Sequence, residues 1–201
     1  QAMKLPTGQA LHWLGGDSHI GDATFDDDTL TLQAGAGTDW FIDPAMLEQT
    51  ATAPVLVSRV DGDCQVTALV TVGFEAMFDA GVLFVHQTNE RYAKLCFELS
   101  PEREQTVVSV VTQAVSDDAN GPVIQGGQVW LRVSTVGSAI AFHWSADGTW
   151  WNLLRYFRFA DPTAPLLLGF CSQSPTGEGC TSRFSQISWA ATRLLDVRDG
   201  S

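Results

Sequence analysis

Lysine is nearly missing from this chain of 201 residues, in which only Lys4 and Lys94 occur. Basic residues of all kinds number 11 against 23 acidic ones, for a formal net charge of −12. A surface this acidic repels phosphate backbones and anionic lipid, so neither nucleic acid nor a membrane is an expected partner. Long apolar runs are missing as well: nothing approaches the ~20 residues that span a bilayer. Residues 1–21 carry one lysine and no continuous apolar stretch, so they do not read as a secretory signal. Cysteine is sparse. Its four copies, Cys64, Cys96, Cys171 and Cys180, include no Cys-x-x-Cys pair and match no zinc module. A chain of this length with 45% apolar residues has no need of disulfide staples. Free buried thiols are therefore expected, with Cys171–Cys180 as the pairing to look for if the compartment oxidises. The histidines, His12, His19, His86 and His143, lack metal-like spacing, so neither a metal nor a cofactor is expected. The acidic pieces Asp26-Asp27-Asp28 and Asp117-Asp118 match no calcium loop and read as turns or caps. The compartment stays open, with the cytoplasm favoured.

Helical periodicity is also scarce, and only Pro44 to Gln49 could form a helical turn. What is present is strand-like alternation, broken at short intervals by turn chemistry. Apolar and polar residues alternate over Val66–Phe74, Arg91–Ser100, Gln128–Ser134 and Ala139–Ser145, while Ala80–Gln87 and Thr106–Thr112 are more continuously apolar. Further strands are expected over Trp151–Phe157, Leu166–Cys171 and Thr181–Trp189. Turns are expected at Asp61-Gly62, Thr88-Asn89-Glu90, Ala119-Asn120-Gly121-Pro122, Gly126-Gly127 and Asp147-Gly148. Asp147-Gly148, between Phe142-His143-Trp144 and Trp150-Trp151, predicts a tight hairpin, with one Trp of the pair inside and the other outside. About ten strands without a helix layer leave a sandwich or a barrel, and residues 1–201 read as one domain.

One face differs from a core. Lys94 and Glu98 share a side of their strand, ~13 Å apart at a ~3.3 Å rise per residue. Trp130 and Arg132 lie opposite Val129, Leu131 and Val133, and His143 lies opposite Phe142 and Trp144. If these strands share a sheet, they present an aromatic face beside planar polar groups, a surface suited to sugar rings. The alternative is an ordinary solvated sheet face. A lysine at the centre of a sheet is not the edge device that discourages strand pairing, which favours a ligand.

The order of several segments carries a resemblance. They are Thr38–Pro44, Phe78–Leu83, Tyr92–Glu98, Ser109–Thr112, Ser116–Asp118, Val129–Val133, Ser145–Trp150, Leu154-Arg155 and Ser174-Pro175. In this sequence they resemble the regulation-of-enolase type of concanavalin A-like protein, a domain-of-unknown-function family, over about residues 39–189. The resemblance implies an all-β, concanavalin A-like jelly-roll sandwich of two antiparallel sheets with its ligand on the concave face. It also points to Asp79, Lys94, Glu98, Thr112, Ser116, Asp117, Arg132 and Arg155. Two departures stand out. Asp118-Ala119 replaces a tryptophan common in the family, and the Glu-x-Asp-x-Glu cluster of laminarinase-type hydrolases is missing. Three functions stay open. A glycan or other small polar ligand could be bound through Lys94, Glu98, Trp130, Arg132, His143 and Arg155. A protein partner could be bound in a regulatory role. A glycoside could be cleaved with Glu98 as acid/base and Asp79 or Asp117 as partner.

Overall fold

The structure is a computed structural model that describes residues 3–16 and 21–201; His19 lies outside them. In chain order the strands are β1 (Met3–Lys4), β2 (Ala10–Trp13), β3 (Gly21–Asp26), β4 (Thr29–Gly35), β5 (Trp40–Ile42) and β6 (Gln49–Ala51). They continue with β7 (Val55–Val60), β8 (Cys64–Val72), β9 (Ala80–Thr88), β10 (Arg91–Leu99), β11 (Gln105–Gln113) and β12 (Val115–Val123). The last are β13 (Gln128–Val136), β14 (Ala139–Ser145), β15 (Asn152–Phe157), β16 (Leu166–Gln173) and β17 (Gly179–Ala190). No α-helix occurs among the described residues.

Two antiparallel sheets pack face to face in a concanavalin A-like sandwich. The first has eight strands, ordered β1-β2-β7-β16-β9-β10-β11-β12, and the second seven, ordered β15-β14-β13-β8-β17-β4-β3. Period-two alternation sends Leu83, Val85, Leu95, Phe97, Leu168 and Phe170 of the first sheet inward. They meet Val66, Ala68, Val70, Leu131, Val133, Phe142 and Phe184 of the second. A separate apolar layer covers the outer face of the first sheet, built from Val82, Phe84, Tyr92, Cys96, Val108 and Cys171 beneath Trp40. That layer exists because the short β5–β6 hairpin folds down onto the sheet. Trp40 seats edge-on against Phe84 and Tyr92, with ring centroids 5.1 and 5.2 Å away, and its Nε1 donates to the Ala53 carbonyl at 2.9 Å.

Some local expectations hold and others are corrected. Pro44–Gln49 makes a single helical turn that does not continue: the Leu47 amide donates to the Asp43 carbonyl at 2.8 Å, Asp43 Oδ1 accepts from the Ala45 and Met46 amides, and Leu47 takes φ 58°, which reverses the chain from β5 into β6. The stretch from Ala119 to Pro122 is strand, not turn, because β12 is the edge of its sheet, where a proline costs no ladder bond. Asp117 and Asp118 are therefore strand residues pointing to opposite faces. Asp147-Gly148 does sit in the β14–β15 connection, but Trp144 pairs with Asn152, so the turn spans 145–151 and is not a tight hairpin. Within it, Asp147 Oδ1 accepts from the Thr149 and Trp150 amides at 2.8 Å. Trp150 is exposed and Trp151 buried. All four cysteines are free and buried.

Candidate functional site

Lys94 and Glu98 do share a face, the outer face of the first sheet, but Trp130, Arg132 and His143 do not join them. β13 and β14 pair with β8 and β15 in the second sheet, so those three residues point away on the opposite side of the molecule. There they are largely covered. The 145–151 turn lies against Trp130 so closely that a Cβ on Gly148 would sit 2.7 Å from its ring. Arg132 stacks on Trp151, 3.9 Å from the ring centroid, and donates to the Gly200 carbonyl at 2.7 Å. His143 Nε2 bonds the Val197 carbonyl at 2.7 Å, and burial lowers its pKa. The chain end from about residue 195 thus roofs this face. Arg155 is elsewhere again. From β15 it reaches across to the first sheet, pairing with Asp117 Oδ2 at 3.2 Å and touching Ser109 Oγ at 3.4 Å, so Asp117 and Arg155 clamp the sheets together.

The cavity around Lys94 and Glu98 has a volume of about 160 Å³. Its floor is the buried set Lys94, Gln173, Val108 and Val110, and its walls are Asp39, Phe41, Phe78, Glu98 and Pro175, with exposed Asp118 at the mouth. Strand register explains the assembly. Gln173 of β16, Ala80 of β9 and Glu98 of β10 stand in one cross-strand row, and the small Ala80 lets Gln173 Nε2 reach Glu98 Oε1 at 3.4 Å. Lys94 stands opposite Val110 of β11, which in turn faces Asp118 of β12. Lys94 Nζ donates to Asp39 Oδ1 at 3.1 Å and to Gln173 Oε1 at 2.9 Å, which leaves one ammonium N–H uncommitted among the described residues.

Two groups in the cavity have displaced pKa values. Burial is the largest single influence on the Lys94 ammonium and opposes its charge, but the Asp39 carboxylate together with the smaller contributions of Cys96, Glu98 and Cys171 outweighs it, so Lys94 lies above its usual value and is charged at neutral pH. Burial lifts the Glu98 carboxyl from 4.5 to about 7, against the pull of Lys94 and with the added push of Asp39 and Asp118. Burial likewise raises the Cys96 and Cys171 thiols next to Lys94, so both are protonated and unreactive at neutral pH.

Supporting residues shape the rim. Asp79 is buried, and both its oxygens are occupied: Oδ2 accepts from the Glu75 and Ala76 amides, Oδ1 from Ser174 Oγ at 2.8 Å. Its role is to fix the neighbours Phe78 and Pro175, which line the cavity. Phe78 is held at φ 72°, unusual for an aromatic residue, with its amide bonded to the Leu99 carbonyl at 2.7 Å. Thr112 and Ser116 join hydroxyls at 2.7 Å, and Ser116 Oγ accepts from the Ile42 amide at 2.9 Å, which ties the β5–β6 hairpin to the sheet edge. Of the positions expected from sequence, only Lys94 and Glu98 reach the cavity. Asp39, Phe41 and Gln173 carry no site expectation from sequence, and Asp118 enters there only as a turn residue and as a replacement for the family's tryptophan. The odd-numbered alternation of Cys171 and Gln173, and of Asp39 and Phe41, is the sequence signal that groups them. No set of three or more His, Cys, Asp or Glu converges as metal ligands among the described residues.

Residues 21–192 match the family described as "protein of unknown function (DUF1349)". The chain belongs to the DUF1349 family. No curated protein matches it. Among solved structures, a functionally unknown protein from Saccharomyces cerevisiae is 21% identical, with a TM-score of 0.81 over 94% of this chain and 99% of that one. The GH43 protein BlXynB from Bacillus licheniformis is 13% identical, with a TM-score of 0.63 over 85% of this chain and 38% of its own. The alginate lyase from Klebsiella pneumoniae is 11% identical, with a TM-score of 0.55 over 87% of this chain and 85% of its own. At these identities the likeness is one of fold.

Proposed function

We propose that this domain binds carbohydrate, with one sugar ring seated in the Lys94–Glu98 cavity. The observation that supports the reading is the cavity's mixed lining. Hydrogen-bonding groups of Lys94, Gln173, Glu98 and Asp118 stand among the apolar surfaces of Phe41, Phe78, Val108 and Pro175. A sugar ring offers hydroxyls at its edge and C–H groups on its faces, and this lining meets both. A cavity of ~150 Å³ holds benzene, so this space takes the six-membered ring itself while part of its hydroxyl rim lies at the open mouth beside Asp118. The sandwich fold also recurs in proteins whose names are those of a glycoside hydrolase and an alginate lyase.

Calorimetric titration with xylo-, gluco- and arabino-oligosaccharides tests the reading. Phe41→Ala and Gln173→Ala are expected to weaken binding at least about tenfold, a loss of ~1.4 kcal/mol, while Arg132→Ala on the far sheet leaves it unchanged. Unaltered binding in both cavity variants would overturn the assignment. If no saccharide binds, a regulatory role through a protein partner takes over, and affinity capture is its test.

A second reading, glycoside cleavage, rests on one observation: Glu98, lifted to about 7, shares the cavity with Asp118. Glycosidases pair a carboxylic acid of raised pKa with a second carboxyl group ~5–9.5 Å away, so the Glu98–Asp118 separation in a crystal structure tests this reading. Neither Asp79 nor Asp117 can be the partner, because one is bonded through both oxygens inside its loop and the other faces Arg155. Release of reducing sugar by the parent, abolished by Glu98→Gln, would support cleavage; its absence from the parent leaves binding alone.

A further inference from the structure

We infer that the cavity receives the end of a saccharide chain, not a stretch from its middle. The inference rests on the carbohydrate reading above and concerns how the same site is entered. An open sheet face lets a polymer lie across it and leave on both sides. Here two walls prevent that. One is the β5–β6 hairpin, which contributes Asp39 and Phe41 and is anchored by Trp40 in its aromatic seat and by Ile42 on Ser116. The other is the pair of segments carrying Phe78 and Pro175, fixed by the buried Asp79.

The walls are joined to each other. The Thr38 amide donates to the Ser174 carbonyl at 3.1 Å, and the Ser174 amide donates to Thr38 Oγ1 at 3.1 Å. This pair of hydrogen bonds between the root of the hairpin and the residue following β16 closes the trough on the β16 side. Lys94 and Gln173 lie buried at the closed end, whereas Asp118, on the edge strand β12, is exposed. Among the described residues the lining thus grades from exposed Asp118 at the β12 edge, past the partly exposed walls, to the buried floor of Lys94 and Gln173. A terminal residue fits such a site, and its free end hydroxyl meets the spare Lys94 N–H and the Gln173–Glu98 pair. An internal residue would have to carry chain through the Thr38–Ser174 link.

The test is calorimetry and sedimentation of the full chain with oligomers of one sugar series, from the disaccharide to the hexasaccharide, and with the long polymer. End recognition predicts one protein bound per saccharide chain at every length, and affinity constant within about threefold beyond the disaccharide. It also predicts polarity. Methylation of the terminal hydroxyls marks the non-reducing end and borohydride reduction the reducing end; the change at the recognised end should cost at least about tenfold in affinity, and the change at the other end nothing. Several proteins bound per long chain, or equal tolerance of modification at both ends, would overturn end recognition while leaving carbohydrate binding intact. No binding of any oligomer would overturn the carbohydrate reading itself, and this inference with it.

Discussion

Replacing Glu98 by Gln keeps the shape of the cavity wall but fixes the group in its uncharged form. In the parent the carboxyl moves from 4.5 in the unfolded chain to about 7 in the fold. Because the folded value is the higher one, the folded chain holds the extra proton between those two values. Glu98 then contributes stability that is complete below about 4.5 and is lost as pH rises through about 7. At about 1.4 kcal/mol per pH unit, the complete loss is about 3 kcal/mol, and the partly exposed position of Glu98 on the wall makes this an upper figure. Urea unfolding of parent and Glu98→Gln side by side reads the difference, since every other titrating group is common to both. The variant should match the parent near about pH 4 and exceed it by about 2–3 kcal/mol near about pH 8. Parallel stability curves across that range would refute burial of Glu98 as the cause of its displaced titration.

Asp39→Asn leaves the buried Lys94 ammonium without its nearest counter-charge, so a loss of about 3 kcal/mol is expected in urea unfolding. Lys94→Met should cost less, because a buried cation is exchanged for an apolar side chain of similar length while Asp39 keeps access to water; the reverse order would contradict the ion-pair account. Trp40→Ala removes the hairpin's anchor and should cost about 3–5 kcal/mol, with hydrogen exchange accelerated over residues 40–51. Arg132→Ala should release the chain end from the far sheet, seen as faster proteolysis after about residue 195, with saccharide binding unaltered.

Alternation along the chain revealed the strands and put Lys94 beside Glu98, because side-chain direction within one strand depends only on the period of two. It could not tell which sheet a strand joins. Gln128–Ser134 and Ala139–Ser145 have the same apolar-polar signature as Arg91–Ser100, yet they pair with β8 and β15, so Arg132 and His143 turn up behind the molecule. Partner choice is a long-range matter, decided by packing over the whole core. The same holds for Lys94, whose counter-ion Asp39 lies 55 residues earlier on a hairpin that local sequence hardly marks. Turn chemistry misled where its residues serve another purpose. Gly121 lies so near Val107 and Leu154 that a Cβ would meet their atoms at 2.7 and 2.6 Å, so the glycine is there for close approach within an edge strand. Asp79 was legible as important but not as a scaffold, because only the fold reveals that both its oxygens are already bonded.

A crystal of the protein soaked with xylobiose tests the central claim most directly. The account predicts one ring between Phe41 and Phe78, over Lys94 and Gln173, with the second ring leading out past Asp118. A sugar bound on the Arg132–Trp151 side, or a cavity holding only solvent at saturating xylobiose, would contradict it.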